Sequence, residues 1–111
     1  MSVEKIFGAG DLVLVDVGST EASFATYEPT MTPGAYFLYE KIDLDSFPSY
    51  NDFFGSKIKV KNGTLGSIVQ AVGAPGRMMS SRARKKYYVY EILIEGSVCQ
   101  IFAKDLKPTI S

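Results

Sequence analysis

The sequence predicts a mainly β single domain, and three observations carry that expectation. Along Tyr87 to Glu95, Tyr88, Tyr90, Ile92 and Ile94 fall on one face of an extended chain, and Tyr87, Val89, Glu91, Leu93 and Glu95 on the other. Glycine-defined breaks at Asn62-Gly63, Gly73 to Gly76 and Glu95-Gly96 separate the apolar runs at strand-like spacing. The 111 residues, 46% hydrophobic and 13% aromatic, suffice for one core but not for two, and lie outside the disordered compositional class.

Taken in order, the first strand is expected at Leu12 to Val17, apolar at nearly every position and bracketed by Gly10 and Gly18-Ser19-Thr20. Residues 19 to 35 hold two prolines and no sustained period. They read as a long arm, with a brief extended piece at Ser23 to Tyr27. Ala35 to Leu44 is a second strand, rich in aromatic and β-branched residues. Asp45 to Phe54 reads as a turn and one helical turn, with Ser49 as cap and Asp52 near its start, and with Phe47, Phe53 and Phe54 plugging the core.

From Gly55 the pattern sharpens. Strand Lys57 to Lys61 turns at Asn62 to Gly66 into strand Ser67 to Val72, which reads as a hairpin. Arg77 to Lys86 is basic and without apolar period, so it reads as an extended loop. Tyr87 to Glu95 and Val98 to Ala103 form a hairpin through Glu95-Gly96-Ser97. A short turn at 104 to 107 precedes a last extended piece, Pro108 to Ser111.

This order over residues 55 to 111 resembles the Src-homology-3-like five-stranded barrels, in particular those of the KOW type in ribosomal and transcription proteins. The opening KIKVKNG at 57 to 63, the corner at Gly63, Gly66 and Ile68, and the closing AKDLKP at 103 to 108 carry the resemblance. It implies a small barrel at 55 to 111, with residues 1 to 54 adding one or two strands and a long arm, and it admits nucleic-acid or ribonucleoprotein binding. The corner lacks the further lysine and glycine usual in the KOW pattern. The acidic, aromatic front half before a charge-polarised barrel also looks like a small phage virion or decoration protein.

Catalysis has no visible apparatus. There is no histidine, a single cysteine, and neither a serine-nucleophile elbow nor a phosphate-cradling or dinucleotide motif. Cys99 excludes an intramolecular disulfide and any multi-cysteine zinc site, and it reads as an inert strand thiol. The start of the chain lacks the apolar core of a secretory signal, and no run reaches the length of a membrane span. No enzyme, cofactor, metal, membrane or small-molecule substrate is expected, and the location is cytoplasmic or within a virion.

The charge is lopsided although the net is zero. Residues 1 to 54 carry nine acids against Lys5 and Lys41, and residues 55 to 111 carry ten basic residues against Glu91, Glu95 and Asp105. Two candidate contact surfaces follow. The first is the basic loop, in which Arg77, Arg82, Arg84, Lys85 and Lys86 lie beside Tyr87 and Tyr88: arginine forks suit phosphate and tyrosine rings offer stacking faces. The second is an acidic docking face of Glu40, Asp43, Asp45 and Asp52, which lacks the ligand spacing of a calcium loop. Lys57, Lys59 and Lys61 add an outward basic stripe that also discourages edge pairing. The competing reading is that the two halves neutralise each other within one molecule. The expected function is a non-catalytic subunit docking into a protein assembly or homo-oligomer, with nucleic-acid binding through 77 to 88 as the alternative.

Overall fold

The computed structural model describes residues 7–18, 27–45, 53–75 and 80–109. Their strands are β1 (Leu12–Val15), β2 (Ala35–Ile42), β3 (Phe53–Lys61), β4 (Leu65–Gly73), β5 (Val89–Ile94), β6 (Ser97–Phe102) and β7 (Leu106–Pro108). A six-residue helix, α1 (Ser81–Lys86), precedes β5, and a 3-10 turn at Ala103–Asp105 precedes β7. The mainly β expectation holds.

Among the described residues all pairing is antiparallel. Five strands form one sheet in the order β6-β5-β4-β1-β7, while β2 and β3 form a separate two-stranded sheet. The sheets do not close into a barrel. Nor are the five strands confined to residues 55 to 111, because the five-stranded sheet takes β1 from the front half while β3 leaves to pair with β2.

The expected hairpin at Lys57 to Gln70 is therefore a corner between two sheets. Gly63, at φ 93, makes the bend available. The corner is then tied to β1: the Gly63 N–H donates to the Val15 carbonyl at 2.7 Å, and the Val15 N–H to that of Thr64 at 3.0 Å. The Asn62 side chain accepts from the Val17 N–H at 2.9 Å and donates to the Val17 carbonyl at 3.0 Å. These bonds satisfy the backbone polar groups just past β1, where pairing would otherwise lapse.

The core follows from alternation. Val13 and Val15 of β1, Ile68 of β4, Tyr90, Ile92 and Ile94 of β5, Ile101 of β6 and Leu106 of β7 are buried on one side of the large sheet. Each such branched side chain contributes about 1.5–3 kcal/mol of burial. Leu38 and Ile42 of β2 and Val60 of β3 complete the same cluster. Where β6 reaches Gln100 and Phe102 both faces are covered. Gln100 Oε1 accepts the Ile42 N–H at 2.9 Å, and the Phe102 ring meets those of Tyr27, Phe53 and Tyr87 at 5.9, 6.2 and 5.2 Å.

Other expectations need correction. Phe53 and Phe54 open β3 rather than closing a helical turn; Phe53 packs inward, and Phe54 is exposed. Residues 81 to 86 are helical rather than extended. Strand β1 ends at Val15, and β5 begins at Val89, after Tyr87 and Tyr88. The tight turn after β5 is as expected, with Glu95 at φ 51 and Gly96 at φ 79, the paired positive values of a right-twisted hairpin turn. The arm at 19 to 26, the segment 46 to 52 with Phe47, Ser49 and Asp52, and residues 76 to 79 with Arg77 lie outside the described residues.

Candidate docking surfaces

The basic segment owes its helix to its cap. Ser80 is extended, and its Oγ accepts the Ala83 N–H at 3.1 Å. Six residues do not sustain a helix in isolation, so packing must hold it. Ala83 and Tyr87, one turn apart, both lie against the core, with the Tyr87 ring edge-on to Phe102. Arg84 reaches the Pro75 carbonyl at 3.5 Å. Arg84, Lys85 and Lys86 occupy the last turn, where cations suit the helix dipole.

Of the expected phosphate-binding set, Arg82, Lys85 and Lys86 are exposed and Arg84 is half-buried. Tyr87 and Tyr88 do not offer open stacking faces. Both are partly buried against the core, and the Tyr88 ring lies 5.2 Å from that of Tyr90. The helix thus presents charge without an aromatic platform.

Neutralisation between the halves occurs, but elsewhere. Lys57 Nζ lies 3.1 Å from Glu28 Oε1 and 4.3 Å above the Phe37 ring, and the Tyr39 hydroxyl donates to the same carboxylate at 2.8 Å. The Tyr39 bond first, and Lys57 next, hold the Glu28 carboxyl below its ordinary value. Lys107 pairs with Asp16 at 2.8 Å. Among the described residues, Arg82, Lys85 and Lys86 have no such acidic partner.

Of the acidic face, Glu40 and Asp43 make local contacts, and Asp52 lies outside the described residues. Glu40 bulges between Tyr39 and Lys41, and its carboxylate accepts the Ser56 N–H at 3.3 Å. Asp43 Oδ1 accepts the Asp45 N–H at 3.0 Å, a local turn contact. Among the described residues no three His, Cys, Asp or Glu converge as a metal group. Leu44 abuts Gly73, and Arg84 touches Pro75, so the acidic segment and the basic helix flank the same end of β4.

The largest departure from expectation is apolar. Residues opposite one another in an antiparallel sheet share a face, and the register aligns Leu12, Ser67, Leu93 and Val98 in one row across β1, β4, β5 and β6. This row faces away from the core. Leu12 is 53%, Leu93 45% and Val98 43% exposed, and Leu65, two residues before Ser67 on the same face, is 53% exposed. No charge interrupts the row. Alternation groups Leu93 with Tyr87, Val89, Glu91 and Glu95; only strand pairing reveals Leu12 and Val98 beside it.

Sequence reasoning also missed a buried polar group. Tyr27 lies in the core, its hydroxyl accepting the Phe102 N–H at 2.8 Å and bonding the Asp105 carboxylate. Burial first, then the nearby Asp105 charge, pushes the phenol well up. Asp105 is also buried and holds Lys104 at 3.0 Å through both oxygens; burial is the main cause that raises its carboxyl. Cys99 is buried, and burial pushes its thiol up to about 12, so no thiolate nucleophile forms near neutral pH. These groups build structure.

No family model matches the chain, and no curated protein or solved structure shows significant similarity to it. Among the described residues no helix is long and apolar enough to cross a membrane.

Proposed function

We propose that this chain is a non-catalytic interaction subunit that docks into a larger protein assembly, a phage particle being the kind that the style of its front half points to. The observation that supports docking is the uncharged row Leu12, Ser67, Leu93 and Val98 with Leu65 beside it. Contiguous exposed apolar surface on a soluble chain marks a contact site more often than chance.

The test is incorporation. In the natural source, the wild-type chain should sediment with a high-mass assembly, and Leu93→Lys and Leu12→Lys should shift to the light fractions while melting like wild type. Undiminished incorporation of both folded variants refutes the reading.

A second reading, binding of nucleic acid, is favoured by one observation: the exposed cations Arg82, Lys85 and Lys86 stand without acidic partners among the described residues. Three phosphate contacts correspond to a log affinity against log salt slope of about −2.7 on duplex DNA and about −2 on single strands. A gel-shift series at increasing salt decides it. A salt-independent complex, or one unchanged when all three cations are replaced by Ser, removes this reading.

A further inference from the structure

We propose that the occupant of the apolar row is a second copy of this chain, seated by a two-fold axis that runs parallel to β4 over Leu65 and Ser67. The inference rests on the docking reading and names its partner.

The register dictates the geometry. Strand β4 is the middle of the five-stranded sheet, with β1 and β7 on one side and β5 and β6 on the other. Rotation about an axis along β4 places the β1 side of one copy on the β5 side of the other. Leu12 then meets Leu93 of the second copy, Leu65 meets Leu65, and the small Ser67 meets Ser67, where the two sheets approach most closely. Two antiparallel sheets packed this way form an aligned sandwich, with strand directions about 30° apart.

The charges at the margin agree with that axis. In the row next to the apolar one, Lys107 of β7 pairs with Leu14, and Leu14 with Leu65. Glu95, in the β5–β6 turn, lies on the far side of β4. The rotation carries Lys107, which holds Asp16 of its own chain at 2.8 Å, toward Glu95 of the second copy. A self-complementary surface of this kind is what a two-fold interface requires. The chain's formal net charge of zero adds no long-range repulsion between copies.

The area bounds the strength. The exposed parts of Leu12, Leu65, Leu93 and Val98 amount to roughly 350–400 Å² per copy, the size of the largest apolar patch on a typical monomer, which is often functional. Doubling this and adding the polar rim brings the buried total to about 1,200 Å², the lower bound of specific interfaces; area alone does not set affinity, and a weak complex of about 1–100 μM is the range to search. The association is therefore a concentration-dependent monomer–dimer equilibrium.

Sedimentation velocity of the full chain from about 1 μM to about 1 mM spans that range. The proposal expects a dimer that forms with concentration, weakened at least about tenfold by Leu93→Lys and by Leu12→Lys with unchanged thermal melts. Leu65→Cys should give a disulfide-linked dimer on mild oxidation, since the native Cys99 is buried, whereas Phe54→Cys on the other sheet should not. A wild-type chain monomeric throughout overturns the proposal, as does a dimer indifferent to both lysine variants. Protection of Leu93→Cys from a thiol reagent in dilute monomer also overturns it, by showing that another part of the same chain covers the row. Loss of the pairing leaves docking onto a different protein standing; docking itself fails only if both lysine variants still incorporate into the native assembly.

Discussion

Replacing Tyr27 with Phe removes one oxygen atom from the interior and tests whether the core is organised around it. The ring would stay, because its contacts with Phe53 and Phe102, at centroid distances of 5.6 and 5.9 Å, do not involve the hydroxyl. What goes is the acceptor for the Phe102 N–H at 2.8 Å and a hydrogen bond to Asp105. A buried amide left without a partner costs about 1–3 kcal/mol. Asp105 keeps Lys104 on both oxygens at 3.0 Å, which limits its share of the loss. The expected total is about 2 kcal/mol, or about 10 °C in melting temperature for a domain of this size. Denaturant titration followed by circular dichroism, with the slope checked for constancy, measures it. A loss below about 0.5 kcal/mol would mean that water reaches the Phe102 amide, and the reasoning would be refuted.

Asp105→Asn should alter the pH dependence of stability. Burial raises the folded carboxyl above its ordinary 3.8, so the folded state holds its proton more tightly than the unfolded chain does, and wild-type stability from this group falls as pH rises through the window just above 3.8. Stability of the variant minus that of wild type should therefore increase with pH across that window; a constant or decreasing difference in urea midpoints contradicts it. Gly55→Ala should destabilise by about 1–2 kcal/mol or more. Gly55 sits at φ 91, and an added Cβ would lie 2.8 Å from Glu40 Cβ; an unchanged melt argues against the bulge at Glu40. Glu95→Asn, at φ 51, should stabilise by about 0.5–1 kcal/mol, because Asn tolerates the left-handed region that this turn demands. Cys99 should react with a thiol reagent only on unfolding, and labelling at the native-state diffusion rate would disprove its burial.

Period-two patterning made the best strand legible, and its turn with it: Tyr90, Ile92 and Ile94 point inward as alternation requires, and Glu95-Gly96 closes the hairpin. Pairing was not legible in the same way. Alternation assigns a residue to a face but says nothing about which strand lies beside it, so Lys57 to Gln70 read as a local hairpin although each arm pairs with a distant segment. The helix at 81 to 86 escaped because only Ala83 and Tyr87 meet the core, too few for a period; the Ser80 cap ahead of good helix formers was the available signal. Arg82, Lys85 and Lys86 are exposed, while Tyr87 and Tyr88 are partly buried because Phe102 and Tyr90, their ring partners, are set by tertiary packing. The bond between Tyr27 and Phe102 spans 75 residues, beyond any local pattern.

The pairing of β1 with β7 joins Val13 to Pro108 and Val15 to Leu106. Closing so long a loop is entropically expensive before any contact rewards it, and domains dominated by such distant pairs fold slowly. During synthesis the Leu12 to Val15 segment is made well before Leu106 to Pro108, its second neighbour. Until then one flank of that strand stays open, with an apolar sequence and free backbone groups suited to mispairing with a nascent neighbour. The interval between making the first strand and making its partner is thus the period in which this chain is most exposed to aggregation.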